Sequence, residues 1–230
     1  MAFRYSPKII TNGLILYYDG ANPKCYVSGD TVSNDLSITQ STGTLTNGVT
    51  YDTDNNGSWV FDGIDDYIDC TNNAAFNQDF DTAFSVSAWV KFDTIATVNI
   101  LFYKFNPSPK GWQLRLQNNK VSLFLKHATG GANQIHAFGT TIINIGSWYH
   151  LTATYDGSNT LAGVKLYVNG ASDVVTGAGG PVVGTFQNTE PLLLGITTNG
   201  NIASFKMWNR ELTQEEVLQN YNAMKSRFGL

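Results

Sequence analysis

The sequence predicts an all-β fold, an antiparallel β-sandwich with one short C-terminal helix. Three observations carry this. Short segments alternate apolar and polar side chains with a period of two, as half-buried antiparallel strands do. Between them stand Asn-Gly, Asp-Gly and Asn-Asn pairs, the chemistry of tight hairpins. After Thr213 the apolar spacing changes to that of a helix. At 230 residues the chain fits one sandwich domain able to bury a substantial core. Charged residues are 14% and the net charge is −4, so the chain lacks the basic footprint of a nucleic-acid binder. No apolar run reaches membrane-spanning length.

The elements follow in order. Residues 1–12 form an arm that is polar apart from Phe3, Tyr5, Ile9 and Ile10, and residues 13–230 form one domain. After the Asn12-Gly13 turn, Leu14, Leu16 and Tyr18 alternate with Ile15 and Tyr17 as a first strand. Ala21 to Asn47 is a long Ser/Thr/Asn/Gly loop with room for short edge strands. In SWVFDGIDDYIDC, Trp59 and Phe61 point one way before an Asp-Gly turn. Phe84, Val86, Ala88, Val90 and Phe92 make one apolar face of a strand, with Ser85, Ser87, Trp89 and Lys91 on the other. Asn99 to Phe105 is the next strand.

Trp112 to Leu125 closes as a hairpin on Asn118-Asn119, which pairs Leu116 with Val121, Leu114 with Leu123 and Trp112 with Leu125. Gln134 to Ile145 is a further strand region. Trp148 to Tyr155 and Val164 to Val168 form a hairpin ending at Asn169-Gly170, with Asp156-Gly157-Ser158-Asn159 as turn chemistry. Ala171 to Thr189 reads as a Gly-rich loop, Leu192 to Ile196 as a short strand, and Asn199-Gly200 as a turn into Ile202 to Trp208. Thr213 and Glu216 have capping-box spacing, Val217, Leu218, Tyr221 and Met224 share a stripe, and Gly229 closes the helix. The helix is expected against an edge or rim of the sandwich. Trp59, Trp89, Trp112, Trp148 and Trp208 are expected mostly in the core.

Several of these stretches resemble one family. WYHLTATYDG followed by VKLYVNG resembles the signature hairpin of laminin-G-like, concanavalin A-like jelly rolls. F-D-G-x-D-D-Y at Phe61 to Tyr67 is similar to the same family, and GLILYYDGANPKCY followed by DLS and GTLTNGVTYD, with FKMWNRELTQEE leading to NYNAMKSRFGL, resembles the virion structural proteins of tailed phages that carry this domain. The resemblance runs from about Gly13 to Leu230. It implies a jelly roll, and it implies a virion decoration, appendage or fibre-associated protein with virion proteins and further copies of itself as partners. Such a protein is assembled in a host cytoplasm, and the N-terminus here shows no secretory pattern. Cys25 and Cys70 are accordingly expected to be reduced, and the Asn56-Gly57-Ser58 sequon carries no weight.

The family also contains glucanases and lectins, which raises the question of chemistry. Its glucanases carry Glu-x-Asp-x-(x)-Glu on one strand, whereas the four glutamates here, Glu190, Glu211, Glu215 and Glu216, all fall in the last fifth of the chain and off any strand. The chain is therefore read as non-catalytic. His127, His136 and His150 are dispersed and expected to be structural or superficial. Asp52 to Gly57 mimics the start of an EF-hand loop, but Gly63 stands where the closing Glu belongs. Asp62, Asp65 and Asp66, with Asp69 nearby, are candidate calcium ligands in a family that binds calcium at its loop rims; the competing reading is that they build turns. Tyr103, Gln113, Arg115, Phe124 and Lys126 are candidate glycan-binding residues on one strand face, against the competing reading of an ordinary solvated face. The expected function is a binding or structural module of a virion, with a lectin for host surface glycans as the alternative and a glycoside hydrolase behind both. Nucleic acid and membrane insertion are not expected.

Overall fold

The computed structural model describes residues 7–108, 110–127 and 133–230. The chain runs through β1 (Leu14–Asp19), β2 (Val32–Asn34), β3 (Thr42–Thr46), β4 (Thr50–Asp52), β5 (Ser58–Asp62), β6 (Tyr67–Asp69), β7 (Phe84–Thr94), β8 (Val98–Asn106) and β9 (Lys110–Gln117). It continues through β10 (Lys120–Lys126), β11 (Gln134–Phe138), β12 (Trp148–Tyr155), β13 (Val164–Val168), β14 (Ala171–Asp173), β15 (Thr176–Gly179), β16 (Leu193–Leu194) and β17 (Asn199–Trp208), then α1 (Gln214–Met224). Two antiparallel sheets form a sandwich. The back sheet has the order β14-β13-β12-β7-β17-β5-β4, with β1 also paired to β17. The front sheet has the order β15-β11-β10-β9-β8-β16-β6-β3-β2.

The core between the sheets is built by strand parity. Phe84, Val86, Ala88, Val90 and Phe92 of β7 face Leu114, Leu116, Leu123 and Leu125 of the front sheet in one buried cluster. The expected hairpin registers hold: Leu116 pairs with Val121, Leu114 with Leu123 and Trp112 with Leu125. Asn118 and Asn119 both adopt positive φ (49° and 62°), the geometry a two-residue hairpin turn demands. Asn169 and Gly170 do the same (52° and 77°), and turn β13 directly into β14. Cys25 and Cys70 are free thiols in this core.

The structure corrects several expectations. The helix does not sit at an edge or rim. It lies across the outer face of the back sheet, where Trp89 and Ala203, from two central strands, pack with Met224 and Phe228. Consequently β12 is not half-exposed: His150, Thr152 and Thr154 are as buried as the core-facing Leu151 and Ala153, while on β13 Tyr167 is covered and Lys165 stays exposed. Trp89 and Trp148 belong to this outer cluster, and Trp208 to a second one, so only Trp59 and Trp112 lie between the sheets. Leu218 is exposed, and Asn220 takes the buried place on α1, its Oδ1 accepting the Ile10 amide at 2.8 Å.

The arm is docked too. Ile9 and Ile10 pack on Leu14, Trp208 and Val217, and the Ile10 carbonyl accepts from Trp208 Nε1 at 2.9 Å. They are therefore engaged within the chain rather than free for a neighbour. Phe3 and Tyr5 lie outside the described residues. A register shift between Leu14 and Leu16 also turns Leu14 out of the core that Leu16 and Tyr18 enter. The Gln134 to Ile145 region is strand only as far as Phe138. The supposed Ala171 to Thr189 loop contributes β14 to one sheet and β15 to the other. Asn199-Gly200 lies inside β17, at a bulge, rather than in a turn before it.

Candidate functional site

Among the described residues, the outer face of the front sheet differs from that of the back sheet in having no α-helix over it. Its residues are fixed by register. Tyr103 pairs with Gln113, Gln113 with Phe124, and Phe124 with His136, so these four form one row across β8, β9, β10 and β11. Arg115, Ser122 and Phe138 form the adjacent row, and Phe105, Gly111 and Lys126 the row on the other side. All five residues expected on this face therefore share it.

Side chains interlock along these rows. Gly111 has no side chain to fill the place between Phe105 and Lys126, and the Phe105 ring stacks on Phe124 across β9, centroids 5.7 Å apart and 12° from parallel. Phe124 lies 4.7 Å from His136, and His136 3.8 Å from Phe138. The Arg115 guanidinium sits 4.5 Å from the Phe124 centroid, and Lys126 Nζ 5.8 Å from it. Arg115 Nη1 donates to Gln113 Oε1 at 3.0 Å, and Nη2 to His136 Nε2 at 2.8 Å. Ser122 Oγ is 3.0 Å from the same nitrogen. Burial, and then the Arg115 charge, push His136 down to about 4, so its ring is neutral at pH 7. Nε2 is then the acceptor and the proton sits on Nδ1. Burial likewise pulls Arg115 down to about 10, leaving it charged.

Phe105, His136 and Phe138 are members that sequence reasoning missed. The period of Gln134, His136 and Phe138 against Ile135 and Ala137 was the available signal. A rigid, half-buried aromatic surface edged by amide and cationic donors is suited to the apolar face and hydroxyls of a sugar ring.

The acidic residues form a second feature, in the connection from β5 to β6, where the chain crosses between sheets. One carboxylate oxygen from each of Asp62, Asp65 and Asp66 lies within 4.8 Å of the others. Asp66 is 3% exposed; its Oδ2 accepts the Asp62 amide at 3.0 Å, and its Oδ1 is buried without a partner. Burial and then the Asp62 and Asp65 charges raise its pKa against the backbone N–H groups that face it. An orphaned buried carboxylate oxygen beside two further carboxylates fits a hard cation. Asp62 and Asp65 also build the turn: Asp62 Oδ1 accepts the Ile64 amide, and the Asp65 carbonyl accepts from Asn47 Nδ2. Asp69 is outside the group and holds the Thr71 amide instead. The Asp52 to Gly57 stretch anchors the C-terminus, its Asn55 and Gly57 carbonyls accepting from Arg227.

Two of the four glutamate carboxylates are engaged elsewhere. Glu211 pairs with Lys165 at 2.7 Å, and Glu216 with Arg210 at 2.7 Å while completing the helix cap with Thr213. The Glu190 carbonyl accepts from Lys104. An open cleft of about 450 Å³ beside Lys165, Tyr167 and Glu211 lies on the back sheet, away from both features.

A family model described as the concanavalin A-like lectin/glucanases superfamily matches residues 61–218. The chain belongs to this superfamily. The chain is 26% identical over 149 residues to pentraxin-related protein PTX3 from Bos taurus, a match covering 58% of this chain and 37% of that protein. Solved structures of similar fold include the binding domain of Paraclostridial mosquitocidal protein 1, with TM-score 0.70 and 16% identity over 92% of this chain and 52% of that one. The botulinum neurotoxin serotype D ligand-binding domain, solved with N-acetylneuraminic acid, matches with TM-score 0.67 and 16% identity over 92% of this chain and 51% of that one. Domain 4 of AbnA, an extracellular arabinanase from Geobacillus stearothermophilus solved with arabinotriose, matches with TM-score 0.61 and 18% identity over 92% of this chain and all of that domain. At these identities the likeness is one of fold. The superfamily member described here spans about half of each toxin domain and little over a third of the pentraxin-related protein.

Proposed function

We propose that this chain is a non-catalytic carbohydrate-binding module and that the outer face of the front sheet is its binding surface. The observation that carries this is the preassembled platform of Phe105, Phe124, His136 and Phe138, with Arg115, Gln113 and Lys126 at its margin. Sugar-bound structures among its fold neighbours support the reading, as does the engagement of the Glu211 and Glu216 carboxylates in ion pairs. Asp62, Asp65 and Asp66 are the residues that would hold calcium, which would supply charge to offset their mutual repulsion and fix the β5–β6 crossing.

The setting on a tailed-phage virion, as a decoration, appendage or fibre-associated protein that assembles with its own copies and other virion proteins, rests on the sequence motifs at both ends of the domain. A glycan array probed with purified protein tests the binding reading. Binding to a defined glycan class, lost on Phe124→Ala and Arg115→Ala in folded variants, is the expected result. Absence of binding across the array, beside a discrete oligomer by light scattering, would overturn it in favour of a structural virion role.

A further inference from the structure

Taking the platform as a glycan site, its charge accounting specifies the kind of glycan. Among the described residues three side-chain ion pairs occur, Lys165–Glu211, Arg210–Glu216 and Arg227–Asp19. Arg115 is in none of them. Its two terminal nitrogens meet neutral acceptors, the Gln113 amide oxygen and the His136 imidazole, and its Nε is buried without a partner. Met1 to Ser6, Pro109 and Ala128 to Ala132, which complete the sequence, include no acidic residue. A half-buried guanidinium ordinarily has an anion beside it, because desolvating the charge is costly.

The surroundings repeat the imbalance. Lys126 brings a second cation to the same Phe124 ring. The outward positions of β8, β9, β10, β11 and β15 carry no carboxylate, although the chain as a whole has 18 acidic residues against 14 basic ones. The carboxylates nearest the Tyr103 row are Asp69, which pairs with Leu193, itself paired with Tyr103, and Glu190, whose charge acts on Tyr103; both stand at the β16 side, far from Arg115. Gln113 and His136 use two of the five guanidinium N–H groups and hold the plane fixed; one N–H on each terminal nitrogen remains, the fork that grips an oxyanion.

We propose that this face selects acidic glycans, the sugar packing on Phe124 while its carboxylate or sulfate supplies the counter-ion that Arg115 lacks. Lys126 adds attraction from the rim. A neutral glycan would cover the half-buried guanidinium without compensating its charge and bind less well.

Matched ligands test this. Calorimetric titration of the whole protein with lactose, 3′-sialyllactose and 3′-sulfolactose separates neutral, carboxylate and sulfate on one core, and trigalacturonate against its methyl ester repeats the contrast on another. The expected result is that at least one acidic member binds about tenfold or more tighter than its neutral counterpart. That preference weakens as salt rises, and Arg115→Gln erases it, while Phe124→Ala removes binding altogether. Equal binding of neutral and acidic members would overturn the acidic selection and leave the face as a sugar site. No binding by any member, nor by any glycan on the array, would overturn both. The ligand pairs decide the matter even should Arg115→Gln fail to fold.

Discussion

Phe228, two residues from the end of the chain, stacks on Trp89 with ring centroids 4.2 Å apart and 22° between planes. Trp89 stands on the central β7 strand, and Tyr221 stacks on the same indole at 5.6 Å. The C-terminal segment is thus a lid over the back sheet, held by aromatic contact and by Arg227, which donates to Asp19 at 2.7 Å. Phe228→Ala should cost about 3 kcal/mol, the usual loss for a buried ring whose site does not fully collapse. Denaturant unfolding measures it, and a red-shifted tryptophan emission should accompany the loss. An unchanged midpoint would mean the lid adds nothing to stability.

His150 lies under that lid against Trp89 and Tyr221, with both ring nitrogens buried and without partners. Burial, and then nearby Lys206, push its pKa from 6.5 down to about 3. The fold therefore prefers the neutral ring. Its contribution is fully present above pH 6.5 and is lost as pH falls from there toward 3, because the unfolded chain binds the extra proton in that window. The slope contributed is at most about 1.4 kcal/mol per pH unit. Stability measured from pH 7 to pH 4 should fall less steeply in His150→Phe than in the wild type; equal slopes would exclude His150 as the cause.

Lys104 faces inward beside Trp112 and is 1% exposed. Its Nζ donates to Asn72 Oδ1, to the Asn188 carbonyl and side chain, and to the Glu190 carbonyl, so one ammonium ties two loops to β8. Lys104→Met keeps the stem and removes the donors. A loss of roughly 1.5–3 kcal/mol is expected, since the Asn188 and Glu190 carbonyls lose a charged donor. Hydrogen exchange should quicken around Asn188 and Glu190. Unaltered exchange there would show that the loop is held by other contacts.

Calcium should raise the melting temperature of the wild type. At a hundredfold excess over the dissociation constant, linkage gives about 2.7 kcal/mol, or roughly 5–10 °C for a domain of this size. Asp66→Asn should abolish the shift because Asp66 supplies the buried, unpartnered oxygen. A wild-type melting curve indifferent to saturating calcium would remove Asp62, Asp65 and Asp66 as ligands.

The parts of the fold legible in the sequence are those decided locally. Period-two alternation located β7, β9, β10, β12 and β13, and the Asn118-Asn119 turn set a register that brings Gln113, Arg115, Phe124 and Lys126 to one face. Parity divides a strand into two faces but is silent on what covers the second. The lid over His150 and Trp89 was hidden for that reason. Short edge strands such as β14 and β15 owe their existence to partners far along the chain, and carry little pattern of their own. The same non-locality hid half of the platform. Phe105, His136 and Phe138 join Phe124 only through the order of β8 to β11.

Lys8 and Ile10 are hydrogen-bonded to Gln219 and Asn220, and the last turn of the chain lies on the same side of the sandwich. The aromatic platform faces the opposite way. Anything joined at the C-terminal end, whether a neighbouring segment, an affinity tag or a solid support, would be carried behind the module. The platform would point outward, like the working side of a tool whose handle is at its back.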